Sequence, residues 1–551
     1  MKYLLRLSFI LPALILMWQN AGAQNNVMGG SVHGSFQFDG NYYNEDTLIG
    51  AHRPDEKIGA NAFLNVIYTN KDFEAGVRYE LYQPPIMGFD PRYKGNGIPY
   101  RYVKYTKKNF EITAGNFYEQ FGSGMVLRSY QEWNLGFDNS IDGVRVKAFF
   151  PGITIKGLIG KQRSFWGKGE GTVRGVDAEI WLNDAFKALA DMKTRIVIGG
   201  NFVSRYQADL DPLYKLPANV GAWSGRIGLF RGNFNLDAEG AYKINDPNAQ
   251  NNMIYKSGNG LKVTFGYSRR GLGFTLQAKR VDNMDFRSDR NATGFNLPIN
   301  YIPAMTPQHA YTLPAYYPYS TQPNGEMGLS ANLIYKFKKK SFLGGKYGTT
   351  IDLSYAVSQA IHKKAINDTT PIGTPGTYGY ESDFFKIGDE KFFHDFSMKI
   401  SKKLNKKWKI YLTYVNIFYN MEVIEGHKEP NVYAQSGVVD VWWKFKPYNS
   451  LHLDVEGLFV KNREDDGDWL FGMIEYKYKS FFAAAIDQWN YGNPDEIMRI
   501  HYFSLSTGYT WSSTRVAVTY GKQSSGILCV GGVCREVPAT NGFSISLSSS
   551  F

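Results

Sequence analysis

The chain reads as all-β: a transmembrane, antiparallel, up-and-down β-barrel of about 24 strands, with short turns at one end and long loops at the other. Three observations predict this. Apolar and polar residues alternate with a period of two along most of the sequence. The connections between these runs alternate between short and long. The last run sets Phe543, Ile545, Leu547 and Phe551 on one face and Ser544, Ser546, Ser548 and Ser550 on the other. A strand that is greasy on one side and polar on the other suits a wall with lipid outside and water inside.

Taken in order, the first element is a cleavable secretory signal over residues 1–23. Lys2 and Arg6 supply its positive start, Leu7 to Trp18 are mostly apolar, and Ala21-Gly22-Ala23 offers a small-x-small cleavage site. Gln24 becomes the mature terminus, with no Cys at the junction to acylate. Residues 24–551 form the barrel, and 24–30 are too few for a plug module before the first strand. No later stretch approaches the ~18–20 consecutive apolar residues of a membrane helix. A mean hydropathy of −0.34 is compatible with a barrel, because lipid-facing and lumen-facing residues cancel. An aromatic fraction of 16% supplies two interfacial girdles.

The alternating runs lie near 31–43, 59–70, 73–83, 99–107, 110–118, 142–150, 153–162, 171–182, 193–205, 218–230, 233–244 and 258–268. They continue near 272–281, 325–338, 348–360, 391–403, 408–419, 432–446, 450–460, 468–478, 481–489, 499–511, 514–521 and 541–551. Between them, Asn70-Lys71-Asp72, Pro151-Gly152, Arg269-Arg270-Gly271 and Ser512-Ser513 are turn chemistry. The segments 44–58, 84–98, 119–141, 206–217, 282–324, 361–390 and 522–540 are long loops. In 73–82, Phe73, Ala75, Val77, Tyr79 and Leu81 oppose Glu74, Arg78, Glu80 and Tyr82. A slip of one residue would move such charges into lipid, at ~2–4 kcal/mol for each basic side chain at mid-bilayer, so register is fixed.

Several segments are functional candidates. Gly115 to Trp133 mixes Gly122 and Gly124 with aromatics and with Glu119, Arg128 and Glu132. These three charges are candidate lumen or gating residues, with Arg128 expected to pair with a carboxylate and hold loop 119–141 inside the pore. A barrel of this girth needs some such obstruction if it is not to leak. Loop 282–324 carries Tyr301, Tyr311, Tyr316, Tyr317 and Tyr319, which suit either a stacking surface or a lid, the lid being favoured. Cys529 and Cys534, the only cysteines, flank Gly531-Gly532, and in an exported chain a disulfide is expected between them. Glu464-Asp-Asp-Gly-Asp468 resembles a loose Ca²⁺ cluster but lacks EF-hand spacing, so no metal and no other cofactor is expected. His452 with Asp454 shares a face and is the one pair worth naming for hydrolytic chemistry, although lumen lining is the simpler reading. No Gly-x-Ser-x-Gly, His-Glu-x-x-His or phosphate loop appears. Lys338 to Lys340 and Lys406-Lys407 read as solvated charge at the short-turn end and not as nucleic-acid sites.

With the signal segment, the alternating strands and the terminal Phe551 in place, the chain resembles outer-membrane barrels of the Bacteroidota. Phe551 resembles the insertion signal read by the barrel-assembly machinery. Gly115 to Glu132 and Leu528 to Ala539 look like recurring segments of an uncharacterised barrel family of that phylum. The resemblance implies no established substrate, cofactor or catalytic residue. Asp46-Thr47-Leu48 and Asp368-Thr369-Thr370 also resemble a short O-glycosylation sequon of that phylum.

The expected location is the outer membrane, with both termini periplasmic and membrane lipid and the assembly machinery as partners. The leading functional expectation is a passive channel or porin-like transporter for polar or amphiphilic solutes. The alternatives are an envelope interaction or assembly protein beside a secretion or surface-display machine and, more remotely, an outer-membrane hydrolase. The primary expectation is not an enzyme.

Overall fold

A sheet whose outer face meets lipid cannot leave a free edge, because unpaired backbone groups have no water to satisfy them there. The computed structural model describes the backbone of residues 25–426, 428–530 and 533–551, with the side chains of 25–27 and 528–534 not described. Its main sheet is a closed antiparallel barrel of 24 strands, each paired with its sequence neighbours. The first strand, Gly30–Asn44, pairs with the last, Thr540–Ser550, from Ser35↔Ser550 to Asn44↔Asn541. Gly34 and Phe551 exchange backbone hydrogen bonds of 2.9 and 3.0 Å across this seam. Gly34 has to be small: an added Cβ would meet the Asn65 carbonyl at 2.2 Å and the Phe551 ring at 2.7 Å. A three-residue strand, Asn25–Val27, folds back on Gly30–Val32 as an extra hairpin. The signal segment and Gln24 lie outside the described residues. No helix of the described residues is long and apolar enough to cross a membrane.

The alternation sorts the two faces as expected. Val77 and Tyr79 are 45% and 40% exposed on the outside, whereas Arg78 and Glu80 between and beside them are buried inside. In the closing strand Phe543 and Ile545 face out, and Ser544, Ser546 and Ser548 lie in register with Asn41, Asp39 and Gln37. Predicted and observed strands coincide closely, with 408–419, 432–446 and 481–489 matching at both ends.

The departures have physical causes. Strand Glu381–Lys403 begins ten residues earlier than the alternation indicates. Its pairing with Thr349–Lys364 shifts register at Ser358/Gln359, Gln359/Ile361 and Ile361/Lys363, and Phe384 and Phe385 are both exposed. A bulged hairpin wetted on both faces has no reason to alternate. On the long-loop side, Ile153–Ser164 and Gly167–Trp181 meet in a two-residue turn at 165–166, so that connection is short. On the short-turn side, 182–194 carries a helical turn, Leu182–Ala185, and 337–348 is also extended.

Candidate functional site

The luminal face is built from the polar half of each strand, and the longest loops fold onto it. Loops 118–140 and 283–325 together touch inward side chains from strand Phe73–Tyr82 round to strand Trp469–Tyr478. They form a septum across the lumen.

Loop 118–140 is folded by two miniature hairpins, Gln120–Phe121 with Leu127–Arg128 and Gln131–Glu132 with Phe137–Asp138. Phe121, Met125, Val126 and Leu127 are fully buried against Val173, Val203 and Val281. Gly122 has φ +52°, and its close approach lets the Ser123 amide donate to Glu239 at 2.7 Å. Glu119 is gripped by Lys147 at 2.8 Å, Lys156 at 3.2 Å and Arg145 at 3.3 Å, from two neighbouring strands. Burial pushes its pKa up, but these three cations outweigh burial and hold it below the ordinary value. Asp138 accepts from Arg78 and, at 2.8 Å, from Arg163, while both arginines also pair with Glu80. Burial opposes ionisation of Asp138, and the two guanidinium groups still keep it below the usual carboxylate range.

The expected carboxylate partner of Arg128 is corrected by the structure. Its guanidinium packs against the rings of Tyr130 and Tyr301, 4.6 and 4.2 Å from their centres, and its backbone amide donates to Ile299 O at 2.8 Å. Sequence reasoning missed this because the second ring comes from a loop about 170 residues away. A cation–π clamp leaves no pattern within one segment. Glu132 caps the short turn Trp133–Leu135 by accepting from the Asn134 amide at 3.4 Å.

Loop 283–325 has two halves. The first locks onto loop 118–140: Tyr301 N–H donates to Gly124 O at 3.0 Å, and the Asn300 amide spans Met125 O and Met284 O at 3.1 and 2.7 Å. Beneath it, fully buried Arg205 pairs with Asp246 at 2.8 Å and donates to Arg287 O at 3.1 Å. The second half is held by carboxylates. His309 meets Asp395 at 2.6 Å, Tyr311 donates to Asp440 at 3.0 Å, and the Thr312 and Leu313 amides donate to Glu456 at 3.2 and 2.7 Å. Tyr316, Tyr317 and Tyr319 donate to Asp466, Asp465 and Glu326 at 2.7, 3.0 and 2.6 Å. Burial first, and then these carboxylates, push all three phenols well above their usual range, so they are permanent donors. Four of the five singled-out tyrosines thus fasten the loop to carboxylates, and Tyr301 clamps Arg128. All five rings are therefore engaged by the loop's own fold and by the wall.

Asp465 and Asp466, read as part of a possible cation cluster, accept from tyrosines instead. Among the described residues no group of three His, Cys, Asp or Glu side chains is arranged to hold a metal. His452 also has a different partner from the one expected. Its Nε2 lies 3.1 Å from Asp440, across the sheet, and its ring stacks on Trp442 at 3.8 Å. At the seam, a cavity of about 280 Å³ is lined by the inward-facing polar groups of Asn41, Gln488, Ser504, Thr519 and Ser544. Cys529 and Cys534 are directly opposed in a small hairpin, Gly526–Val530 with Val533–Val537, while their side chains lie outside the described residues.

Some solved structures resemble this chain at very low identity. A structure described as the P pilus usher (PapC) translocation pore matches 94% of this chain and 99% of its own, at 9% identity and a TM-score of 0.45. The siderophore receptor PirA from Pseudomonas aeruginosa matches 94% of this chain and 80% of its own, at 10% identity and a TM-score of 0.40. Pseudomonas aeruginosa OccD3 (OpdP) matches 72% and 88%, at 12% identity and a TM-score of 0.36. No curated protein matches the chain. One family model matches it over residues 1–551.

Proposed function

The chain belongs to a family described as "Family of unknown function (DUF6029)", and from that premise we propose, on geometry alone, a loop-gated outer-membrane conduit for polar or amphiphilic solutes. The observation that carries this reading is the way the septum is attached. Its second half is held by side-chain hydrogen bonds from Tyr311, Tyr316, Tyr317 and His309 to wall and loop carboxylates, bonds that are separate from the backbone ladder of the barrel. Beneath it the wall stays polar and part-exposed at Gln37, Asn65, Glu74, Lys104, Asp237, Asn332 and Lys399. Both signs of charge on an inner face suit a hydrated passage. In this reading the short turns and both termini are periplasmic, and the seam strand with Phe551 is what the assembly machinery receives.

The test is single-channel conductance of the refolded protein in planar bilayers, comparing the intact chain with deletions of 304–322 and of 119–141. Openings that rise on either deletion support a gated conduit. Silence in all three sinks it and favours the second reading, a sealed barrel that acts as an envelope assembly partner. That reading draws on the buried ion network of Arg78, Glu80, Asp138 and Arg163, which ties loop 118–140 to the wall.

A further inference from the structure

Charge is divided between the two ends of the barrel. The eleven connections on the short-turn side, taken with two residues on either flank, contain 23 Lys and Arg against 5 Asp and Glu, a formal +18. The whole chain carries only +12, so everything else is net negative. The twelve connections on the other side, with the same two flanking residues, hold 28 acids and 21 bases. The basic groups run right round the rim: Lys71, Lys107, Lys108, Lys193, Arg231, Arg269, Arg270, Lys479 and Arg515 are all exposed. They are densest over 336–348 and 402–409, where ten lysines occur without one acid.

This crowding works against the sheet. Lys403 and Lys409 sit directly opposite each other in register, a like-charge pairing that destabilises strands. None of Lys338, Lys339, Lys340, Lys406 or Lys407 has an ion-pair partner among the described residues. An aromatic girdle lies at the same height. Trp408 stacks on Trp443 at 5.0 Å and Trp181 on Phe230 at 5.7 Å, while Phe73 packs tilted against Tyr105 at 4.9 Å and Phe234 against Tyr267 at 4.7 Å. Such girdles mark the bilayer–water boundary. Phe342 is 99% exposed at the tip of the most lysine-rich turn, beside exposed Leu343.

We propose that the short-turn rim is a binding surface for anionic phospholipid headgroups. A protein partner would meet one sector, whereas these cations encircle the barrel at the level where headgroups encircle it too. Lysines just beyond the girdle extend their ammonium groups into the headgroup layer, where a negative surface attracts them. Phe342 and Leu343 supply the apolar contact that lets their turn lie on the interface.

The experiment uses the full refolded chain in mixed micelles with equimolar phosphatidylglycerol and phosphatidylcholine of identical acyl chains, and reads retained lipid by native mass spectrometry. Phosphatidylglycerol is expected in several-fold excess, and that excess is expected to fall in K338Q/K339Q/K340Q/K406Q/K407Q. The control K215Q/K428Q/K461Q, on the opposite rim, should keep the excess. Heat-modifiable mobility on gels establishes that each variant is folded. Equal retention by the unaltered protein, or an undiminished excess in the five-lysine variant, overturns the proposal. Lysine-dependent binding of poly-glutamate without any lipid preference also overturns it, and would assign the rim to an acidic polypeptide.

Discussion

Tyr317 donates its phenolic hydrogen to Asp465 at 3.0 Å, joining the strap 283–325 to the hairpin 461–468, six strands further round the wall. Burial first, then the adjacent Asp466 carboxylate, push Asp465 up to about 6, with Glu425 adding to the effect and the Tyr317 hydrogen bond opposing it. A carboxyl group whose folded value is raised favours the folded arrangement when protonated. Its contribution is complete below the unfolded value near 3.8 and is lost as pH rises through about 6. The strap is therefore held more firmly at pH 5 than at pH 7.5. Channel openings of the intact protein should increase over that interval, and D465N should flatten the dependence and keep the low-pH behaviour. A D465N protein that still gates with pH would remove this group from the device.

The double variant Y316F/Y317F should free the strap without disturbing the wall. Both hydroxyls are lost, and each hydrogen bond to a charged acceptor contributes roughly 1.5–3 kcal/mol. Limited proteolysis should then cut within 304–322 at a protease dose that leaves the unaltered protein intact, while the strand segments stay protected.

Arg163 bonds Glu80 at 2.6 and 2.7 Å and Asp138 at 2.8 Å, all within a buried network. R163A strands two carboxylates on a single remaining guanidinium, that of Arg78. Removing one partner from a buried ion pair typically costs about 3–5 kcal/mol. The unfolding midpoint in denaturant should fall accordingly, and far more than for K94A, whose pair with Glu56 is exposed.

Closure depends on the Gly34–Phe551 junction. G34L drives a side chain into the Asn65 carbonyl and the terminal ring, and deleting Phe551 removes both backbone bonds of the junction. Both variants should refold in low yield, seen as loss of the fast-migrating unheated band on gels. Normal yield for G34L would mean that the seam tolerates a different register.

Cys529 and Cys534 are paired residues of one hairpin, a placement suited to the disulfide expected from the sequence. Alkylation followed by mass spectrometry should label neither thiol before reduction and both after it. Labelling without reductant would count against the bond.

The wall was legible from sequence because lipid imposes it. Most outward positions are apolar, so Phe543, Ile545 and Leu547, or Val77 and Tyr79, announce their face through a local period of two, and strand ends follow where the period stops. The bulged stretch 381–390 escaped that reading because water wets both of its faces and nothing enforces alternation. The septum was only half legible. Tyrosine-rich 282–324 and charged Glu119 and Arg128 could be singled out by composition, but their partners could not. Glu119 meets Lys147 and Lys156, Tyr311 meets Asp440, and Arg128 meets Tyr301 instead of an acid. Sequence alone determined a barrel, its register and its approximate strand number, since each follows from one residue's relation to lipid or to its near neighbours. Only the tertiary structure decided what fills the lumen and how the rim's charges are gathered, because those relations arise when closure brings together residues on different strands and loops, from 28 to 173 positions apart.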